Sequence, residues 1–284
     1  MRQTPCVLYI AVDALIPARG KSAAGLDEFT AALDHAGIPA VWVTDRSRLE
    51  FDAARRKLAH THPFISEGGC GVYLPEGYFH LRAEKTTRLG RFTCIPMARE
   101  MPAATNALEE LSEESGVPVV TLKSLSPREL SQNLGLPQRE AELTRQRDFD
   151  ELFFFAGASE EDIRRFVALA AEKKCQARQH GMLWSLADGA NLKRCIQSLA
   201  KLYDRALRYH PAAVGVGTLE GSQELFRACD RNILLTRGKR DAAEAEELHV
   251  PGSQPKSFSL QNPEVWSELL DSVASKVQST LERN

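Results

Sequence analysis

The sequence predicts an α/β fold, a parallel-sheet core with an αβ cap domain inserted into it. Three observations predict this. The opening sixty residues alternate apolar runs with amphipathic helical stretches, and the same alternation returns after about residue 188. Between them lies a stretch of different texture, in which short strands and short polar helices are mixed. A core interrupted and then resumed explains that order better than two domains in tandem. The core is therefore assigned residues 1–82 and 188–284, and the cap residues 83–187.

Each element has a local reason. "CVLYIAV" (6–12) is a buried strand, and "GLDEFTAALDHAG" (25–37) a helix with Leu26, Phe29 and Leu33 on one stripe and Gly37 at its end. "IPAVWVT" (38–44) is a second apolar strand, followed by a charged helix through about Ala59. "PFISEGGCGVYLP" (63–75) gives two short strands around glycines. In the middle block, "AATNALEELSEESG" is a helix and "VPVVTLK" a strand. Ser126, Pro127 and Glu129 then write a capping box with proline in the first turn. "PQREAELTRQ" is a polar helix and "ELFFFAG" (151–157) a core strand, and Ser159 with Asp162 opens another helix. "QARQHGMLWSLAD" (176–188) reads as one or two strands and "NLKRCIQSLAKLYDRAL" (191–207) as a long amphipathic helix. Strand, loop and helix follow over 212–230, then the buried strand "NILLT". The charge blocks and turn formers of "RGKRDAAEAEELHVPGSQPKS" indicate a mobile surface loop. Asn262 and Pro263 start a last helix with Val265, Leu269, Val273, Val277 and Leu281 on one face.

Composition excludes several classes. With 43% hydrophobic and 26% charged residues, the 284-residue chain has the make-up of a soluble globular protein. A net charge of −2 provides no electrostatic footprint for nucleic acid or an anionic membrane. The six cysteines show no CxxC pair and no zinc-like spacing, so free buried thiols are expected, and with them a cytoplasmic location. The apolar part of "MRQTPCVLYI" is too short for a signal peptide, and no run approaches 18 apolar residues. The seven histidines have no metal-ligand spacing, and "GVGTLEG" lacks the GxGxxG spacing of a dinucleotide loop.

The chemistry gathers in "YIAVDALIPARG" (9–20), where a strand ends in a loop carrying a single carboxylate, Asp13. Such loops are common sites of phosphate and metal chemistry, which ordinarily needs more than one acid. In order along the chain come Asp13, a strand ending in Thr44, the inserted block, a helix carrying Lys193, and a strand ending in "GTLEGS". This order resembles the haloacid dehalogenase-like phosphatases, in the branch of mannosyl-3-phosphoglycerate phosphatase and related sugar-phosphate phosphatases, over nearly the whole chain. "GIPAVWVTDRSRLE" is similar to that branch's second motif and "PFISEGGCGVYLP" to its "PFI-ENGA-IY-P" stretch. "RDFDELFFF" is similar to its cap segment opening "REY", and "ELFRACDRNILLT" to its last helix and strand. The resemblance implies a Rossmann-like core.

It also implies a site, from which this chain departs. The family's DxDGT loop supplies a nucleophilic aspartate and, two residues on, an acid/base aspartate. Matching "AVDALI" to it puts Ala11 at the nucleophile and Asp13 at the acid/base position. The other register makes Asp13 the nucleophile but puts Leu15 at the acid/base position and Ile16 on the glycine. The first is favoured, and the pair is broken in both. Where the family has the Mg²⁺-holding "GDSPND", this chain has Gly217, Thr218, Leu219, Glu220, Gly221 and Ser222. Asp13 is thus expected to be the remnant of a catalytic pair. By resemblance Thr44 binds a phosphate oxygen, Lys193 neutralises phosphate charge, and Arg147 of the cap meets an anionic group of the substrate. In the cap, Met182 replaces the "GRF" arginine and Ser185 the usual histidine.

The expected function is that of a catalytically impaired sugar-phosphate phosphatase homologue, requiring no cofactor. It is expected to bind a phosphorylated sugar or glycerate, or a partner protein. The alternative is an active phosphohydrolase with Asp13 as nucleophile and Asp45 or Glu220 helping to hold Mg²⁺. In the impaired reading Lys193 is expected to turn into the cleft against Asp13, filling the space of the cation.

Overall fold

The computed structural model describes residues 6–17, 21–80, 83–238, 241 and 256–274. β1 (Cys6–Ala11), β2 (Ala40–Val43) and β3 (Phe64–Ser66) follow the opening pattern, with α1 (Leu26–Ala36) and α2 (Arg48–Lys57) after the first two strands. β1 is buried on both faces, which is why it reads as a continuous apolar run. Cys6, Leu8 and Ile10 face the packing layer that contains α1, whereas Val7 and Tyr9 face the opposite layer. Gly37 ends α1 in a left-handed conformation (φ 68°), as its place after the last apolar residue anticipated. β4 (Gly71–Pro75) then turns back antiparallel to β3.

One boundary differs from expectation. β5 (Thr87–Leu89) and β6 (Phe92–Pro96) pair antiparallel onto β4 and extend the core sheet. The chain thus leaves this sheet after Pro96, not at residue 82. The reason is burial: Phe92 and Cys94 join the main core, and Phe92 meets the ring of Phe64 edge-on at 5.2 Å. Turn and charge signals around Arg88, Gly90 and Arg91 mask that apolar contribution in the sequence.

The cap carries a second sheet. α3 (Met101–Ser115) leads to β7 (Val119–Thr121), then α4 (Pro127–Leu134), α5 (Gln138–Thr144), β8 (Glu151–Phe155), α6 (Glu160–Glu172), β9 (Cys175–His180) and β10 (Leu183–Asp188). The four strands form an antiparallel sheet in the order β7-β8-β10-β9. The anticipated capping box of Ser126 with Glu129 is present, and Ser159, expected to open its helix, forms a second with Asp162. Phe153 and Phe155 pack toward α3 and α6, and Leu152 toward α4 and α5.

The chain returns to the core through α7 (Leu192–Leu207), β11 (Ala212–Gly217), α8 (Gln223–Ala228), β12 (Arg231–Thr236), β13 (Lys256–Ser259) and α9 (Val265–Ala274). The large sheet has the order β13-β12-β11-β1-β2-β3-β4-β6-β5, parallel from β13 to β3. α1 and α9 cover one face and α7 and α8 the other. This is a Rossmann-like core with an αβ cap. Most of the anticipated surface loop, and Val277 and Leu281, lie outside the described residues. Five of the six cysteines are buried and Cys229 is partly exposed, all as free thiols. No described helix is long and apolar enough to cross a membrane.

Candidate active site

Parallel strands release their loops at one edge, and the carboxyl ends of β1, β2 and β11 meet the cap strand β9 across a cleft of about 310 Å³. Ala11, Asp13, Thr44, Asp45, Arg178 and His180 are among its walls. β1 runs as far as Ala11, whose partner across the sheet is Val43, so Ala11 is the residue at the strand end and Asp13 stands two residues beyond. Leu15, the acid/base position of the other register, is fully buried in the core.

Asp13 and Thr44 meet, and Asp13 takes up the Thr44 hydroxyl that the resemblance assigns to phosphate. Thr44 Oγ1 donates to Asp13 Oδ1 at 2.5 Å, and the Asp45 backbone N–H donates to Oδ2 at 2.7 Å. The Arg46 guanidinium lies 3.4 Å from Oδ1 and also donates to the Ile16 carbonyl. Burial, then the neighbouring charge of Asp45, raises the Asp13 carboxyl above its ordinary value, although Arg46 and Thr44 pull the other way. Asp45 faces the cap, with His180 Nδ1 3.5 Å from Oδ2 and Arg178 Nη1 3.7 Å from Oδ1. Burial opposes its charge, but His180, Arg178 and Arg147 together hold this carboxyl below the usual range.

Two expected residues are elsewhere. Lys193 is exposed in the first turn of α7 and lines a neighbouring cavity with Arg227 and Gln176. No Lys193–Asp13 contact exists among the described residues. The rotation of α7 explains this: Leu192, Cys195, Ile196 and Leu199 take its buried stripe, which leaves position 193 outside. Arg147 is not among the walls of the cleft either. It is buried and paired with Asp150, and its Nη2 donates to the Asp45 carbonyl at 2.7 Å. Although burial works against its charge, Asp150 and Glu67 keep it cationic. Arg147 is a clamp between the cap's entry into β8 and the loop that carries Asp45.

Sequence reasoning missed the residues that build the rest. Buried Glu67 accepts the backbone N–H groups of Asp148, Phe149 and Asp150 at 2.9, 2.8 and 3.1 Å, tying the cap segment to the core. Burial, then Asp150, raises its pKa to about 8. Glu67, Cys70 and Asp150 come close enough to suggest a metal site, but these hydrogen bonds and the Arg147 pair already occupy both carboxylates. Arg178 and His180 were read only as part of a strand. Their i, i+2 spacing, opposite the partly buried Ala177, was the signal that both leave β9 on the same face.

Where the resemblance calls for Mg²⁺, the residues do not fit it. Ala11 offers no side-chain oxygen, and Thr218 donates its hydroxyl to the Glu220 carbonyl at 3.1 Å. Ser222 Oγ is buried without a hydrogen-bond partner among the described residues, packed against Gly217. Mg²⁺ demands near-octahedral oxygen coordination, and a Ser222 hydroxyl beside an Asp13 carboxylate already held by Thr44, the Asp45 N–H and Arg46 does not supply it. Nor do the helpers of the alternative reading, since Asp45 is turned to the cap and Glu220 is exposed.

No family model matches the chain. A glucosyl-3-phosphoglycerate/mannosyl-3-phosphoglycerate phosphatase of Persephonella marina is 25% identical over 219 residues, 76% of this chain and 78% of that protein. A phosphatase of the haloalkanoate (HAD) superfamily from Bacteroides thetaiotaomicron has a similar structure, with TM-score 0.63 at 14% identity over 94% of this chain and 95% of the other. A subclass IIB sugar phosphatase of that superfamily has TM-score 0.61 at 12% identity over 95% and 99%.

Proposed function

We propose that the chain, which belongs with the haloacid dehalogenase-like phosphatases on the mannosyl-3-phosphoglycerate phosphatase branch, binds a phosphorylated sugar or glycerate in the cleft without hydrolysing it by the Mg²⁺-dependent route. One observation supports the reading above the others. The loop's single carboxylate, Asp13, is held by Thr44, the Asp45 N–H and Arg46, and Ala11 stands where the attacking group of the resemblance belongs. An aspartyl-phosphate needs a free carboxylate aimed at phosphorus. Loss of a nucleophile costs several orders of magnitude in rate.

The test is phosphate release from a panel of sugar phosphates and phosphoglycerate esters, with and without Mg²⁺. The expected result is no Mg²⁺-dependent turnover and no rise in melting temperature at millimolar Mg²⁺, since a ligand that binds only the native state raises it. Robust turnover abolished by Asp13→Asn would overturn the proposal in favour of an active phosphohydrolase with Asp13 as nucleophile.

A further inference from the structure

The resemblance assigned the anion-neutralising charge to Lys193, and the structure puts that lysine outside the cleft. The cation-capable side chains lining the cleft, among the described residues, come from the cap: Arg178 and His180 of β9. We propose that Arg178 is the cation that binds the oxoanion of the cleft's ligand, with His180 beside it as second donor. The assignment rests on the ligand-binding reading above and gives it a residue and a ligand class.

Three observations carry it. First, the fork is held in place. Arg178 Nη1 donates to the Gly68 carbonyl and Nη2 pairs with Glu224, while His180 Nε2 is 2.9 Å from Ser185 Oγ. A guanidinium has five N–H donors in fixed geometry, matched to phosphate and carboxylate. Second, the core makes room for it. Gly68 has φ +60°, a backbone conformation that favours glycine, and a Cβ there would fall on Arg178 Nη1, so a side chain at this position would push the guanidinium aside. Third, its carboxylate partners are open to competition: Glu224 and Asp45 are half-exposed on the far wall, where an incoming oxoanion competes with them for the guanidinium. Asp45, Glu224, Gln179 and Gln223 surround the position with groups that bind hydroxyls. The ligand class is therefore a hydroxylated small molecule bearing a phosphate or carboxylate.

The experiment is calorimetric titration of the full chain, without Mg²⁺, with 3-phosphoglycerate, inorganic phosphate and glycerate. The wild type is expected to bind 3-phosphoglycerate. Arg178→Gln should weaken it by about tenfold or more, the scale of losing a charge-assisted hydrogen-bonded pair. Arg178→Lys keeps the charge but loses the fork, and should weaken it by about threefold to tenfold, so the point is readable even if Arg178→Gln folds poorly. Glu224→Gln frees the guanidinium and should tighten binding several-fold, whereas a merely structural latch would show loosening in both variants. Lys193→Gln should stay within about twofold of wild type. Loss of the inorganic phosphate response in Arg178→Gln supports a phosphoryl contact, and loss confined to glycerate supports a carboxylate contact. Wild-type affinity in Arg178→Gln, or a loss carried instead by Lys193→Gln, overturns the assignment while leaving the ligand-binding reading standing. Failure of the wild type to bind any of the three overturns the assignment, and failure to bind a panel of sugar phosphates as well overturns the ligand-binding reading.

Discussion

Truncating Glu67 to alanine should unfasten the cap from the core. The Glu67 carboxylate is 2% exposed and accepts three consecutive backbone N–H groups, those of Asp148, Phe149 and Asp150. These residues lead directly into β8, the second strand of the cap sheet, so their backbone fixes where the cap begins. Glu67→Ala leaves three N–H groups without an acceptor, each costing roughly 1–3 kcal/mol when buried. Water entering the vacated space recovers part of that. The net expectation is a loss of about 3–5 kcal/mol, at the upper end for a single substitution. Glu67→Gln is the sharper control. Its carbonyl oxygen still accepts from Phe149 and Asp150, as Oε2 does now, and only the Asp148 N–H is left facing an amide NH₂. Its cost should be about 1 kcal/mol. Urea unfolding reads both as midpoint shifts at constant slope, and limited proteolysis should cut near residues 145–150 first in the alanine variant. An alanine variant within 1 kcal/mol of wild type, or a glutamine variant as unstable as alanine, would refute the reasoning.

Two other predictions concern stability. Ser159→Ala removes the side-chain cap of α6, whose Oγ accepts the Asp162 N–H at 3.2 Å, and should cost about 1 kcal/mol in the same urea assay. Stability against pH should have two limbs of opposite sign. His60 is buried, with Nε2 bonded to the Ala40 carbonyl at 2.6 Å and Nδ1 accepting from Arg55 at 3.2 Å. Burial, then Arg55, depresses its pKa well below 6.5, so the unfolded chain binds the extra proton and stability falls as pH drops through about 6.5. Glu67 acts in reverse. With its native pKa near 8 and an ordinary value of 4.5, the native state holds a proton that the unfolded chain has released, and stability falls as pH rises from about 5 to 8. Melting temperatures across pH 4.5–9 should show both limbs, with the alkaline one flattened in Glu67→Gln. An alkaline limb unchanged in that variant would assign it to another group.

The amino-acid sequence alone determined the elements and the family likeness. Apolar periodicity placed β1, α1, β2 and α7, Ser126 and Ser159 announced their helices, and the order of Asp13, Thr44 and the glycine loop of β11 carried the resemblance to the phosphatase family. These signals are local, because a helix stripe or a cap is written within a few residues. What only the tertiary structure decided is which charged side chains enter the cleft. Position 193 lies outside because four apolar neighbours on α7 claim the buried stripe. Arg147 is absorbed by Asp150 and the Asp45 carbonyl when the cap docks, and β5–β6 joins the core because Phe92 finds Phe64. Arg178 reaches Gly68 across 110 positions of chain, and Glu67 reaches Phe149 across 82. Such pairings depend on how the two sheets are set against each other, and the energy that fixes that placement is spread over burial and hydrogen bonds between distant segments, where no short stretch of sequence records it.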